Sequence, residues 1–241
     1  MFIVGEGNME VVLGVIAIPA IISAIIVVYI WYVDKYEREP LKYVALMFSW
    51  GILSAMLALF LEELSFGIMS YEFLYIALIG PIIEEFSKGL GLFVFSKNDE
   101  YEGPMDGLVY GISVGAGFAL FENILYILAF YYEGGIGSAL VIAIVRAVFE
   151  PIGHPLFTGW FAYDLGRDKL GMKGKFSGFL TAIALHILWN TTALFAASNG
   201  FGSVLFIIIT FLYANLLRER IKDGLLIDKL LVGKNIKEVL M

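Results

Sequence analysis

The chain has no cysteine and only two histidines among its 241 residues. The absence of cysteine excludes disulfide bonds, thiolate metal ligands and a cysteine nucleophile. Charged residues are scarce as well, at 16% of the chain, whereas soluble domains contain about 25%. Hydrophobic residues make up 60%. This composition indicates an all-α integral membrane protein embedded in a lipid bilayer, with no nucleic-acid partner.

Seven apolar runs approach the roughly 20 residues that a helix needs to cross a bilayer. They cover about 11–33, 43–61, 73–95, 107–131, 138–163, 176–197 and 203–217. The N-terminal residues carry no basic group ahead of the first run, so we expect this run to remain as a helix rather than a cleaved signal peptide. Without an internal repeat or long linker, residues 1–241 form one predicted domain with a core at about 73–197.

The distribution of lysine and arginine predicts the orientation. Two of the 16 basic residues, Lys88 and Arg146, lie inside predicted spans. With seven spans, all the others fall on one side of the membrane. Because basic loops face the cytoplasm, the N-terminus is predicted outside and the C-terminus inside. The tail, 218–241, is predicted to be cytoplasmic, and the sequence leaves open whether it is an interfacial helix or a solvated segment.

The third run contains two acids and a lysine where charge is unfavourable by about 2.5–3.5 kcal/mol per residue. Glu84 and Glu85 lie four and three residues before Lys88, so all three side chains share one helix face. One lysine cannot fully compensate two carboxylates. We therefore expect one of the two glutamates to serve as a general base. The alternative is an ion cluster with a purely structural role. Helical spacing does not distinguish the two acids.

Other ionisable groups are predicted at similar depth. Glu122 and Tyr126 lie four residues apart in the fourth span, so the tyrosine hydroxyl is expected to orient the carboxylate. His186 and Asn190 have the same spacing in the sixth span, where an imidazole and an amide would suit an oxyanion. A shared depth of about 14–16 Å from the outer end favours one common site over separate ion pairs.

The fifth span combines polar groups with helix breakers. Arg146, Glu150 and His154 are spaced by four residues, and prolines follow Glu150 and His154. Membrane helices tolerate such breaks where polar groups or water satisfy the backbone, so this span is expected to bend beside a wet cavity. Arg146 and Glu150 could equally form a simple pair. In the fourth span, glycines at every fourth position (Gly107 to Gly115) predict close helix packing.

The sequence does not favour the familiar hydrolase sites. Gly-x-Ser-x-Gly occurs at 111–115, but inside a predicted membrane span rather than at the strand-to-helix turn that a nucleophilic serine needs, and no serine–histidine pairing stands out. His-Glu-x-x-His is absent, which argues against a zincin helix. Two histidines with a carboxylate are still a standard catalytic zinc set. A zinc ion held by His154 and His186 with Glu85, Glu84 or Glu122 therefore stays open, beside a site without any metal.

The spacing of these residues resembles the PrsW family of intramembrane proteases, relatives of the CAAX prenyl-protein proteases and bacterial Abi proteins. Its Glu-Glu-x-x-Lys motif is similar to 84–88 and its Phe-Glu-x-x-x-Tyr motif to 121–126. His154, with Arg146 ahead of it, and His186 resemble the single histidines of the family. The segment 186–190 also matches the His-x-x-x-Asn of the CAAX relatives.

The resemblance implies an endopeptidase that cleaves a single-pass membrane protein of the anti-sigma-factor type in a prokaryotic plasma membrane. It implies that Glu84 or Glu85 activates water with help from His154, and that His186 and Asn190 bind the oxyanion. Lys88, Tyr126 and Arg146 would support them. A proton-coupled transporter and a binder of transmembrane helices without catalysis are the alternatives.

Overall fold

The computed structural model describes residues 6–66 and 71–232, which are helical apart from short turns. The helices are α1 (Glu6–Val33), α2 (Leu41–Phe66), α3 (Glu72–Leu74), a π-helical turn (Tyr75–Ile79), α4 (Gly80–Phe95), α5 (Pro104–Phe149), α6 (Gly153–Lys169), α7 (Lys175–Ser198) and α8 (Gly200–Val232). No β-strand occurs in these ranges, so the prediction of an all-α protein is confirmed.

Five helical stretches in the described ranges are long and apolar enough to cross a membrane. They are Glu10–Val33, Leu41–Ser65, Pro104–Lys169, Lys175–Ser198 and Gly200–Leu231. The third stretch contains two of the predicted spans, because the chain reverses direction within it. The predicted span 73–95 is absent from the five, since its α4 has only 16 residues and follows the π-helical turn. The chain is an integral membrane protein, whereas seven spans and their orientation stay predictions.

The reversal within α5 occurs at Gly135, whose positive φ of 74° is a conformation that glycine adopts readily. Beyond it, residues 136–149 run back along the first part of the helix. Ile127 packs against Ala139 and Ala143 in one buried cluster. This hairpin returns Arg146 to the level of Glu122, which is essential for the site.

The first part of α5 is the centre of the fold, and nearly every residue from Pro104 to Ala119 is buried. Its glycines lie directly against α6, as their spacing predicts. A β-carbon on Gly111 would lie 2.9 Å from the carbonyl oxygen of Thr158, and one on Gly115 would lie 2.5 Å from that of His154. This close backbone contact fixes the position of His154 relative to α5.

The remaining helices complete the bundle around α5. On one side α2 crosses it at Gly51, where a β-carbon would lie 2.8 Å from the Phe118 backbone nitrogen. On another side α8 continues as one helix through Val232, so residues 218–232 extend the last predicted span. There Arg220 covers the ring of Trp160 at 3.7 Å. Residues 233–241 of the predicted tail lie outside the described ranges.

Candidate active site

Lys88 of α4 has no exposed surface and lies at the centre of a cluster of polar side chains. Its Nζ donates hydrogen bonds to Glu85 Oε1 at 2.6 Å and to His154 Nδ1 at 2.9 Å, and lies 3.6 Å from Glu84 Oε2. The ring of Phe118 covers it at 4.0 Å. The predicted pairing of one lysine with two acids is therefore present, and a histidine from α6 joins it.

The two glutamates of α4 have different surroundings. Glu85 Oε1 accepts from Lys88 and also from His186 Nδ1 at 2.9 Å, and the residue is 2% exposed. Glu84 Oε2 is equally inaccessible but has no hydrogen-bond partner among the described residues. It lies 3.8 Å from His186 Nε2 and 3.9 Å from His154 Nδ1. Glu84 thus keeps an oxygen free for a further group, whereas Glu85 is engaged in holding Lys88 and His186.

The second half of the cluster is built on the α5 hairpin. Arg146 Nη2 lies 2.9 Å from Glu122 Oε2 and 3.2 Å from Glu150 Oε1, and its Nε donates to the side chain of Asn123. The guanidinium covers the ring of Tyr126 at 3.9 Å. Arg146 therefore pairs with Glu150, and it binds Glu122 as well.

Tyr126 has a different contact from the one predicted. No hydrogen bond joins its hydroxyl to Glu122 among the described side chains, and its contact with the cluster is the ring face beneath Arg146. The hairpin at Gly135 explains this contact, because it places the guanidinium of Arg146 over the face of α5 that carries Tyr126.

His154 connects the two halves. With Nδ1 accepting from Lys88, Nε2 carries the proton of the neutral ring and donates to Glu122 Oε2 at 2.8 Å. Glu150 Oε2 lies 3.3 Å from the same nitrogen. The fifth predicted span is interrupted at residues 150–152, between α5 and α6, as its prolines predict. This interruption allows Glu150 and His154 to face the cluster together.

A cavity of about 500 Å³ lies beside the cluster, between the returning part of α5 and helices α7 and α8. Its polar wall consists of Glu122, Tyr126, Arg146, Glu150, His154 and Asn190. Apart from Ser203, the rest of its lining is apolar or aromatic and includes Ile142, Phe149, Leu194, Phe206 and Ile207. We call it the large cavity. Its size and lining suit a peptide segment with apolar side chains.

The structure separates the two residues of the His-x-x-x-Asn segment. Asn190 lines the large cavity, and its side-chain amide donates to the carbonyl oxygen of Ile76 in the π-helical turn at 3.1 Å. The second hydrogen of that amide is left for a ligand in the cavity. His186 is 1% exposed and stacks on Phe157 behind Glu84 and Glu85, so it does not line the large cavity.

A second, smaller cavity of about 50 Å³ lies on the opposite side of the cluster, between α2, α4 and α5. We call it the small cavity. Glu84 and Glu122 line it together with Glu62, a residue that the sequence did not single out. The predicted second span ends at residue 61, which places Glu62 in the following loop. Two adjacent acids, Glu62 and Glu63, directly after an apolar run were the sequence feature that could have indicated a polar site there.

Among the described residues, two sets of side chains have potential metal ligands within 4.8 Å of one another. They are Glu84 with His154 and His186, and Glu122 with Glu150 and His154. The unpartnered Glu84 Oε2 between two imidazole nitrogens fits the two-histidine and carboxylate set that zinc uses. Glu85 is not in either set because Lys88 and His186 occupy it. A bound ion would also require Lys88 to move from His154 Nδ1.

A separate group of buried carboxylates lies at the end of the bundle that the charge pattern places in the cytoplasm. We call Asp34, Glu39, Asp106 and Asp228 the end cluster; each is at most 5% exposed. Both carboxylate oxygens of Asp34 lack a hydrogen-bond partner among the described residues. Tyr110 donates to Glu39, and Asp106 caps the start of α5 by accepting from the backbone of Gly103 at 2.8 Å. No hydrogen bond or ion pair among the described residues joins these acids to the polar side chains around Lys88 and Arg146, which we call the active-site cluster: Glu84, Glu85, Lys88, Glu122, Arg146, Glu150, His154 and His186.

Comparison with known proteins settles the family. Residues 39–216 match the family described as "PrsW family intramembrane metalloprotease". The chain belongs to this family. The matched residues include every charged group of the cluster described above.

Several curated relatives cover most of the chain. It is 31% identical to "Protease PrsW" of Geobacillus kaustophilus over 187 residues, which is 75% of this chain and 80% of the relative. The protein of the same name from Oceanobacillus iheyensis is 30% identical, over 76% of this chain and 82% of the relative. The protein of the same name from Bacillus subtilis is 29% identical, over 75% of this chain and 76% of the relative. No solved structure matches the chain. The chain is therefore a protease of the bacterial cell membrane, as the sequence predicted.

Proposed function

We propose that the chain is an intramembrane endopeptidase in which Glu84 activates the water that hydrolyses the peptide bond. The observation that carries this proposal is Oε2 of Glu84, which accepts no hydrogen bond from the described residues, lies 3.6 Å from Lys88 Nζ and is within 4 Å of both imidazole rings. A general base needs a free oxygen close to the water it deprotonates. Glu85 Oε1 lacks this freedom because Lys88 and His186 already donate to it.

The substrate segment is proposed to occupy the large cavity. A single-pass membrane protein, of the anti-sigma-factor type that the family resemblance implies, would place apolar side chains against its apolar walls. The scissile carbonyl would then face the wall formed by Glu122, His154 and Asn190. The free amide hydrogen of Asn190 supports a role as an oxyanion donor, whereas the buried His186 supports a role in orienting the two glutamates.

In the proposed reaction, the oxygen of a water attacks the carbonyl carbon while Glu84 accepts the released proton. The peptide nitrogen receives a proton as the carbon–nitrogen bond breaks, and His154, between Glu84 and Glu122, is placed to carry it. The alternative is a zinc ion held by Glu84, His154 and His186, which would supply Lewis-acid polarisation of the carbonyl; Glu84 would then be a ligand and not the base. Lys88 and Arg146 form ion pairs that balance the negative charge of the surrounding carboxylates.

The deciding experiment compares Glu84→Gln with Glu85→Gln in proteoliposomes that contain a single-pass substrate. We expect Glu84→Gln to fold normally and lose roughly 10²–10⁴-fold in kcat, the usual contribution of a general base. Glu85→Gln should retain more activity but unfold at a lower temperature, because it weakens the contacts to Lys88 and His186. Full activity of Glu84→Gln would refute the assignment.

Two further readouts separate the alternatives. Tight capture of the substrate by the wild type without any product would identify a binder of transmembrane helices. Solute uptake driven by a proton gradient and abolished by Glu84→Gln would identify a transporter. Elemental analysis tests the metal: stoichiometric zinc that is lost in His186→Ala would establish it as part of the site.

A further inference from the structure

Hydrolysis consumes one water for each bond, and the two cavities differ in how they could supply it. Apart from its polar wall, the large cavity is lined mostly by apolar side chains, so a substrate segment that fills it would exclude water from that direction. The small cavity lies on the other side of Glu84 and Glu122, away from α7 and α8. Only Glu122 borders both cavities among their lining residues. The active-site cluster is therefore a wall between two compartments.

The lining of the small cavity meets the conditions for bound water. The cavity measures about 50 Å³, whereas a single water needs roughly 10–15 Å³ of such space. Water also needs two to four polar partners in such a site. Three carboxylates, Glu62, Glu84 and Glu122, supply them, while Ala58 and Leu59 provide apolar surface.

Glu62 occupies the side of this cavity toward the end of α2. The helix ends at Phe66, four residues or about 6 Å further on. Its neighbour Glu63 is exposed, whereas Glu62 is partly buried. A β-carbon on Gly80 would lie 3.6 Å from Glu62 Oε1 and 3.9 Å from Glu84 Oε1, so the two carboxylates flank the same turn of α4.

The backbone at Glu62 is held firmly. Its carbonyl oxygen accepts from the hydroxyl of Tyr75 at 2.7 Å and from Ser65 at 3.1 Å. The π-helical turn that carries Tyr75 thus ties the end of α2 to the start of α4. No protein group among the described residues donates to the Glu62 carboxylate, which leaves both of its oxygens for water.

We propose that the small cavity is the water compartment of this protease and that Glu62 is the positioning residue through which water reaches Glu84. The inference rests on the proposed role of Glu84 as the base. Glu62 does not touch the substrate; it acts by holding water beside the Glu84 carboxylate, whose Oε1 lies on the side toward Glu62. The substrate and the water would then approach the wall from opposite sides.

Water in the cavity can be tested without any measurement of activity, because the chain has no native cysteine. Single cysteines are introduced as Ala58→Cys in the cavity, Leu53→Cys on the exposed apolar face of α2, and Glu63→Cys at its end. Consumption of each thiol by Ag⁺ is followed in proteoliposomes. We expect Ala58→Cys and Glu63→Cys to react and Leu53→Cys to be protected by lipid. An unreactive Ala58→Cys beside a reactive Glu63→Cys would overturn the proposal.

Kinetics test the role of Glu62, with the adjacent Glu63→Gln as matched control. We expect Glu62→Gln to lower kcat with KM unchanged, to raise the solvent deuterium isotope effect, and to be partly rescued by Glu62→Asp. The decrease should be smaller than the roughly 10²–10⁴-fold loss of a general base. Unchanged kcat, or a change in KM alone, would refute the role.

The two proposals fail separately. If Glu84→Gln cleaves normally, the assignment of the base is wrong whatever Glu62 does. If Glu84→Gln is inactive while Glu62→Gln matches the wild type, only the water compartment is refuted.

Discussion

The active-site cluster and the end cluster are two groups of buried carboxylates in one bundle, and they are stabilised differently. In the active-site cluster Lys88 and Arg146 form ion pairs with Glu84, Glu85, Glu122 and Glu150. In the end cluster no lysine or arginine pairs with a carboxylate among the described residues. One helix, α5, carries a member of each cluster. Asp106 of the end cluster and Glu122 of the active-site cluster lie 16 residues, about 24 Å, apart along it.

The difference teaches how a membrane protein uses buried acids. Ion pairing favours the charged form of a carboxylate, which is the form that accepts a proton. Without a cation, burial favours the protonated form. Burial raises the pKa of Asp34 to about 7, with Asp228 and Asp106 adding to the effect. Burial likewise raises the pKa of Glu39 to about 10, although the hydrogen bond from Tyr110 opposes this. Both residues lie between α1 and α2, outside the apolar stretches.

The largest expected effect comes from removing the cation of the active-site cluster. Lys88→Met leaves Glu84 and Glu85 buried without their counter-ion, and breaking such a pair costs roughly 3–5 kcal/mol. We expect a clear fall in the thermal unfolding midpoint in detergent, together with loss of proteolysis. Lys97→Met, which removes an exposed lysine just after α4, is the control. Equal midpoints for both variants would show that these acids need no cation, as in the end cluster.

An intermediate effect is expected for Asp34→Asn, and it depends on pH. Between the ordinary pKa of 3.8 and about 7, folded wild type holds a proton that the unfolded chain has lost. Wild-type stability should therefore fall as the pH rises through this window, by at most roughly 1.4 kcal/mol per pH unit. The asparagine does not titrate, so the variant should be more stable than wild type at pH 8 and differ less at pH 5.

Unfolding midpoints of Asp34→Asn, wild type and the exposed control Asp99→Asn, measured from pH 5 to 8, check this sign. A parallel decline of Asp34→Asn and wild type would show that Asp34 does not contribute to the pH dependence.

The smallest expected effect is that of Tyr110→Phe in the end cluster. The change removes one hydrogen bond to Glu39, with an expected loss of about 0.5–1.5 kcal/mol. Because that bond favours the charged form of Glu39, its removal should also raise the pKa of Glu39 further. Unfolding at neutral pH measures the loss, and proteolysis should be unchanged. A loss of activity as large as that of Lys88→Met would mean that the two clusters are linked.

Much of the candidate site could be located from the sequence because membranes make buried charge rare. Glu84, Lys88, Glu122 and His154 stood out in apolar runs, and a shared depth was enough to group them. The glycine spacing of α5 predicted close helix packing, and the structure shows that its partner is α6. Buried charges, their depth and ladders of small residues can be recognised in one sequence because the bilayer makes each of them unusual or necessary.

Other features depend on tertiary contacts that the sequence does not display. The side chain of Tyr126 was predicted to reach Glu122, but the hairpin at Gly135 places Arg146 over its ring. Glu62 was missed because α2 extends to Phe66, beyond the predicted end of the span. The different partners of Glu84 and Glu85 emerged only from the rotation of α4 about its axis.

That rotation depends on the π-helical turn. The backbone N–H of Gly80 bonds to the carbonyl of Tyr75, five residues earlier, so Tyr75–Ile79 forms a wider turn than an α-helix would. One residue fewer there would restore the α-helical count and turn α4 by about 100°. Glu84 and Lys88 would then face away from both histidines. Two relatives with the same Glu-Glu-x-x-Lys letters could thus differ in activity through the number of residues ahead of Pro81 alone, so an alignment gap at this point carries functional meaning.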